Sequence, residues 1–97
     1  MLPEGFSWAN RHQYDTRQTA LVLDGRQVAM LLERIDGTWF ARLECHWPIT
    51  APLVTRRCRS LDAGRAGIEA WAVRHQARLR AEVRTGRREG VGEFSGE

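Results

Sequence analysis

The sequence predicts an α+β domain in which a four-stranded antiparallel β-meander is packed on one face by a single C-terminal α-helix. Two Asp-Gly pairs, which begin at Asp24 and Asp36, predict the sheet, because each is flanked by residues that favour strands. The helix is predicted from a change in apolar spacing, from alternation to a period of about 3.6 residues, after Asp62.

The Asp-Gly pairs also predict the register of three strands. Asp-Gly favours a two-residue turn with positive φ at both positions, which sets Leu23 opposite Arg26 in the first hairpin. The same rule sets Leu32 opposite Ala41 in the second hairpin. Because side chains alternate along a strand, both turns predict one shared apolar face. Its predicted members are Leu21, Leu23, Val28, Met30, Leu32, Trp39, Ala41, Leu43, Cys45 and Trp47.

A fourth strand is predicted over residues 53–60, after a loop marked by Pro48 and Pro52. Alternation places Val54 and Cys58 on the inner side, with Arg56 between them. A charged residue on the inner side predicts an edge position, where a long side chain reaches water. A symmetric connection between the third and fourth strands would set Cys45 opposite Cys58.

The helix is predicted over residues 62–85, with Ser60 or Asp62 as its N-cap and Gly86 at its end. Two glycines in its first turns, Gly64 and Gly67, lower helix propensity and therefore predict close packing against the sheet. The resulting division is an N-terminal arm or short extra strand over residues 1–18, a ββββα domain over 19–85, and a disordered tail over 86–97.

The composition is typical of one globular domain without disulfides. The chain has 97 residues, of which 42% are hydrophobic and 28% charged, a balance that supports a core. No run approaches the roughly 20 apolar residues of a membrane span, and the N-terminus does not resemble a secretion signal. We therefore expect a cytoplasmic protein in which Cys45 and Cys58 remain thiols.

The sequence contains no recognisable catalytic or metal-binding motif. The candidate metal ligands are dispersed, and the two cysteines lie too far apart in sequence for a typical zinc pair. His75 falls on the apolar stripe of the helix without a nucleophile or an orienting carboxylate placed near it by sequence, which favours a packing role. We therefore expect a protein that is not an enzyme and has no metal or cofactor. The dispersed candidates are His12, His46, His75, Cys45 and Cys58.

The face of the sheet opposite the helix is the predicted binding surface, since one helix covers one face only. Protein interaction, including self-association, is the first interpretation of its apolar and arginine side chains. A second has Phe6, Trp8 and Tyr14 folding over the face. The third is nucleic-acid binding, in which bases stack on the aromatic rings and phosphates pair with the arginines of this face. The net charge of +3 agrees with it, although all 15 basic residues are arginine, a bias that a GC-rich coding sequence also produces. The candidate binding residues are Leu31, Ile35, Phe40, Arg42, Arg57 and Arg59.

Overall fold

The computed structural model describes residues 2–11 and 17–95, with side chains described as far as residue 85. Within these ranges the strands form one antiparallel sheet in the order β1-β2-β3-β4-β5, followed by one helix. The α+β class is confirmed, but the sheet has five strands and not four. The elements are β1 (Phe6–Ala9), β2 (Ala20–Leu23), β3 (Arg26–Glu33), β4 (Trp39–Leu43), β5 (Val54–Cys58) and α1 (Leu61–Ser95).

The additional strand, β1, brings two aromatic residues onto the helix side of the sheet. Phe6 lies opposite Leu23 and is buried, while the indole nitrogen of Trp8 donates a hydrogen bond of 2.8 Å to the carboxylate of Glu69 in α1. The interpretation that Phe6 and Trp8 fold over the second face was therefore wrong. Tyr14, the third residue in that interpretation, lies outside the described residues.

The first hairpin forms the predicted turn and then departs from the predicted register. Asp24 and Gly25 both have positive φ, and Leu23 pairs with Arg26 as expected. A β-bulge follows, so that Leu21 pairs with Ala29 and not with Val28. Val28 is the additional residue, and it is fully buried.

The second hairpin closes with three residues and not two. The backbone N–H of Arg34 donates to the carbonyl of Thr38, at 2.7 Å, which leaves residues 35–37 as the loop. Gly37 has positive φ, but Asp36 does not. The Asp36 carboxylate accepts hydrogen bonds from the backbone N–H and the hydroxyl of Thr38. This arrangement is typical of a three-residue loop with a left-handed glycine.

The two irregularities change which residues of β3 face the helix. Leu31 now pairs with Ala41 on the inner, helix-facing side, and Leu31 is fully buried. Met30 and Leu32 pair with Arg42 and Phe40 on the outer side. The predicted inner positions of Met30 and Leu32 were wrong, because a shift of one residue reverses every side chain of the strand. The buried apolar residues of the sheet are Phe6, Ala20, Leu21, Leu23, Val28, Ala29, Leu31, Trp39, Ala41 and Leu43.

The last strand, β5, lies at an edge of the sheet, as predicted from Arg56. Arg56 pairs with Ala41 on the inner side and is exposed. Cys58 pairs with Trp39, so the predicted pairing of Cys45 with Cys58 was wrong. Both cysteines are free. The difference arises because the connection from β4 to β5 is longer than the symmetric one assumed and begins with Glu44 at positive φ.

The helix begins where the sequence predicts and continues past the predicted end. The Ser60 hydroxyl accepts a hydrogen bond of 3.1 Å from the backbone N–H of Ala63, which identifies Ser60 as the N-cap. The helix extends through Gly86 to Ser95, since a glycine inside a helix lowers stability by only about 1 kcal/mol and does not require termination. Its buried residues, all predicted from the helical spacing, are Ile68, Trp71, Ala72, Leu79 and Val83.

The two glycines near the start of α1 have different environments. A Cβ at Gly64 would lie 2.5 Å from Leu31 and 3.3 Å from the Cys58 sulfur, so Gly64 is required for close packing against the sheet. A Cβ at Gly67 would meet no atom within 4 Å. The predicted close packing is therefore confirmed at Gly64 and wrong at Gly67.

Among the described residues, no helix has both the length and the apolar character that a membrane span requires.

Candidate functional site

The outer face of the sheet, opposite α1, is the first candidate binding surface. Among the described elements α1 is the only helix, and its contacts reach the sheet from the inner side. The middle of the outer face is apolar and half-buried, and its margins are polar or basic. The strand residues on this face are Ser7, Ala9, Ala20, Val22, Gln27, Met30, Leu32, Phe40, Arg42, Thr55 and Arg57.

The structure brings three of the six predicted binding residues together on this face. Phe40 pairs with Arg57, and Arg42 lies on the neighbouring row of the same face. Leu31 is in the core, so its predicted exposure was wrong.

The two remaining predicted residues lie away from the centre of the outer face. Ile35 is fully exposed at the tip of the second hairpin, and Arg59 follows the end of β5. Instead of Leu31, the aliphatic centre of this face is formed by Val22, Met30 and Leu32. Of these three, the predicted register had placed Met30 and Leu32 on the inner side.

The charged strand residues of the outer face are all basic. Its charged strand residues are Arg42 and Arg57, and no strand residue on this face is acidic. Asp36 in the hairpin loop lies within electrostatic range of Arg57, since its pKa is lowered first by hydrogen bonds from Thr38 and further by the charges of Arg34 and Arg57. The described strand residues therefore give this face an apolar centre and a basic margin.

A second cluster of polar side chains joins the end of β4 to α1. The Nε2 atom of His46 lies 2.7 Å from Oε1 of Glu82 and 3.9 Å from Oε1 of Glu44. Arg78 donates to both carboxylates, at 2.7 Å to Glu44 and 3.0 Å to Glu82. Trp47 adds a hydrogen bond of 3.1 Å from its indole nitrogen to Glu82. We call these five residues the Arg78 network.

Three members of the Arg78 network have the spacing of metal ligands. One ligand atom each from Glu44, His46 and Glu82 lies within 4.8 Å of the others. However, the guanidinium of Arg78 already donates hydrogen bonds to both carboxylates, and it supplies the positive charge that a metal ion would bring. We interpret the network as a structural connection between the β4–β5 loop and the helix.

No protein-family model, curated protein or solved structure matched this chain.

The Arg78 network was missed by sequence reasoning because its members come from two segments far apart in the chain. The sequence groups His46 only with the dispersed histidines and cysteines. A usable signal is present, since Arg78 and Glu82 are four residues apart on one face of a helix and form an ion pair. Only the fold places Glu44, which lies at the end of β4, over that pair.

In the described part of the chain, the surroundings of His75 and Cys45 favour a packing role over a catalytic one. His75 lies beside Trp71, with ring centroids 6.2 Å apart, at the position where the helix backbone departs from helical φ and ψ. Gln76, its neighbour, donates to the carbonyl of Val73 at 3.2 Å. Burial raises the pKa of the Cys45 thiol to about 11, so it is a poor nucleophile at neutral pH.

Proposed function

We propose that this chain is a non-enzymatic protein-interaction module that binds an acidic segment of a partner protein on the outer face of its sheet. The observation that carries the proposal is the composition of that face, in which apolar side chains at the centre are flanked by arginines without any acidic strand residue.

The apolar centre supports a protein partner. Met30, Leu32 and Phe40 lie on adjacent strands of the outer face and are half-buried. Met, aromatic residues and Arg are enriched at protein interfaces, whereas Lys, Glu and Asp are depleted. The strand residues of this face include Met, Phe and Arg and no Lys, Glu or Asp, so burial of its centre by apolar side chains of a partner would be favourable.

The arginines support an acidic partner over a second copy of the chain. If two outer faces met, Arg42 and Arg57 of each copy would approach a surface with no carboxylate from the strands, and like charges would oppose association. Carboxylates on a different protein would pair with both guanidinium groups, and bidentate pairs would add specificity of orientation.

Nucleic acid is the alternative partner, and one observation favours it. Phe40 lies between Leu32 and Arg57 in one row across the sheet, an order that allows a base to stack beside a phosphate contact. We rank it second because, within the described strands, Phe40 is the only aromatic residue on the outer face, and the side chains beside it in those strands offer no second ring for stacking.

The compartment that we propose agrees with the cysteine chemistry. Cys45 and Cys58 are both free thiols, which is typical of the reducing conditions of the cytoplasm. We therefore propose a cytoplasmic location for the module.

Selection of short random peptides displayed on phage tests the proposal even though the partner is unidentified. We expect enrichment of sequences that combine acidic with apolar residues, and binding that weakens as salt is raised. Phe40→Ser should weaken binding of a selected peptide about tenfold, because truncation of a central aromatic anchor removes a hot spot.

Ile35→Ser is the matched control, because Ile35 is an exposed apolar residue at the hairpin tip and outside the proposed surface. It should leave binding unchanged. Arg42→Gln provides a second test that does not remove apolar packing. Equal binding by wild type, Phe40→Ser and Arg42→Gln would overturn the proposal. Preference for single-stranded oligonucleotides over every selected peptide would favour the nucleic-acid alternative instead.

A further inference from the structure

A cleft of about 340 Å³ lies between the edge strand β5 and the first turns of α1, on the opposite side of β5 from the outer face. Its floor is apolar, formed by Ala41, Leu43 and Ile68. The volume falls within the range of small-molecule sites, which begins at roughly 300 Å³. This cleft is not used by the proposed interaction surface, except that Arg57 borders both.

The rim of the cleft is basic. Arg56, Arg57 and Arg59 line it, and none of its lining residues is acidic. The structure shows no salt bridge to these three arginines among the described residues. Arg56 alone would have a simpler explanation, since an inward-pointing charge on an edge strand prevents pairing with another chain. Prevention of edge pairing needs only one such charge, so it does not account for three arginines around an apolar floor.

Gly67 gives an independent reason to regard the cleft as a site. A glycine inside a helix lowers stability by about 1 kcal/mol relative to alanine. Gly64 is required by its contact with Leu31, but a Cβ at Gly67 would meet nothing within 4 Å. Packing within the chain therefore does not explain Gly67, whereas a ligand in the cleft would, because Gly67 lines the cleft and leaves its wall open.

We propose that this cleft binds a small organic anion that has an apolar chain and a carboxylate. The apolar chain would lie over Ala41, Leu43 and Ile68, and the carboxylate would accept hydrogen bonds from the arginines of the rim. This site does not depend on the proposed protein interaction, because its floor and helix wall belong to the inner side of the sheet.

Octanoate is the probe, with octanol as its uncharged analogue, and binding is followed by amide chemical shifts in two-dimensional NMR. We expect millimolar or tighter binding of octanoate, with the largest shifts at residues 41, 43 and 67, and weaker binding of octanol. Arg56→Gln should weaken octanoate binding roughly tenfold, the order expected for loss of one charge-assisted hydrogen bond.

Gly67→Leu should abolish binding by filling the cleft, while the fold is retained because the Cβ has free space. Ala66→Leu is the matched control, since Ala66 is the exposed neighbour of Gly67 and does not line the cleft. The proposal is overturned if octanoate produces no shifts at the cleft, if Gly67→Leu binds as well as Ala66→Leu, or if octanol binds as tightly as octanoate. If Gly67→Leu fails to fold, octanoate binding by Arg56→Gln still tests the proposal.

Discussion

His46 and Glu82 are in contact across the interface between the β4–β5 loop and the helix, with 2.7 Å between Nε2 and Oε1. His46 is buried and Glu82 is half-buried. Burial acts to raise the pKa of Glu82, but hydrogen bonds from His46, Trp47 and Arg78 outweigh it and hold the pKa below its usual value of 4.5. The attachment of the β4–β5 loop to the helix therefore depends on ionised Glu82.

The first prediction concerns acid stability. Because the pKa of Glu82 is lower in the folded state than in the unfolded chain, its contribution to stability is complete above about pH 4.5 and is lost as the pH falls through the folded value. Glu82→Gln should lower stability at neutral pH by about 1–2 kcal/mol and should flatten the acid dependence below that pH. Thermal unfolding followed by circular dichroism at a series of pH values measures both effects.

Glu33→Gln is the control for this prediction. Glu33 forms an exposed ion pair of 3.3 Å with Arg17, and exposed pairs contribute about 0–1 kcal/mol. The Glu33→Gln curve should follow that of the wild type closely. Parallel curves for the wild type and Glu82→Gln would show that the Arg78 network does not contribute as described.

The second prediction uses the two glycines of α1. Gly64→Ala should lower stability by about 1–3 kcal/mol, because its Cβ would lie 2.5 Å from Leu31 in a packed interface. Gly67→Ala should raise stability by about 1 kcal/mol, because the new Cβ occupies free space and helix propensity improves. Chemical denaturation compares the two variants. Changes of the same sign would contradict the assigned packing.

The third prediction tests the register of the second hairpin. Leu31→Arg should prevent stable folding, since it would place a charge in the core. Leu32→Arg should leave a folded protein, since Leu32 lies on the outer face opposite Phe40. If the second hairpin closed with a two-residue turn, Leu32 would face the helix and Leu31 the outer side, so Leu32→Arg would be the unfolded variant. Dispersion of amide signals in NMR spectra distinguishes the outcomes, and a folded Leu31→Arg with an unfolded Leu32→Arg would contradict the structure.

The fourth prediction concerns the reactivity of Cys45. Burial raises its pKa from 9.0 to about 11, so its thiolate fraction at mildly alkaline pH is roughly 100-fold lower than that of an unperturbed thiol. In a Cys58→Ser background, iodoacetamide should alkylate Cys45 at least about 100-fold more slowly in the folded protein than in denaturant. Mass spectrometry follows the reaction. Equal rates in the two conditions would show that Cys45 is not protected.

Much of the fold could be predicted from local patterns. The turn at Asp24 and Gly25, the edge position of Arg56 and the buried stripe from Ile68 to Val83 each depend on neighbours within a few residues. The helix end at Thr85 was wrong because glycine and polar residues reduce helix propensity without preventing a helix.

The candidate site was predicted less well, and the second Asp-Gly pair shows why. Asp36 and Gly37 have the same residue types as Asp24 and Gly25, but Thr38 offers a hydroxyl and an N–H to the Asp36 carboxylate. This favours a three-residue loop, and the shift of one residue moves Leu31 into the core and Leu32 to the surface. Phe40, Arg42 and Arg57 therefore lie on the predicted face and Leu31 does not, because the alternation of β4 was predicted in the right phase and that of β3 was not.

The sequence by itself determined the class of fold, the order of the meander from β2 to β5, and the side of β4 and α1 that is buried, because these follow from turn chemistry and the periods of apolar residues. Only the tertiary structure decided the β1 strand, the bulge at Val28, the Arg78 network and the cleft beside Gly67. Each of these depends on contacts between segments distant in the chain. Local spacing does not encode such contacts, since they form only when the sheet and the helix pack together.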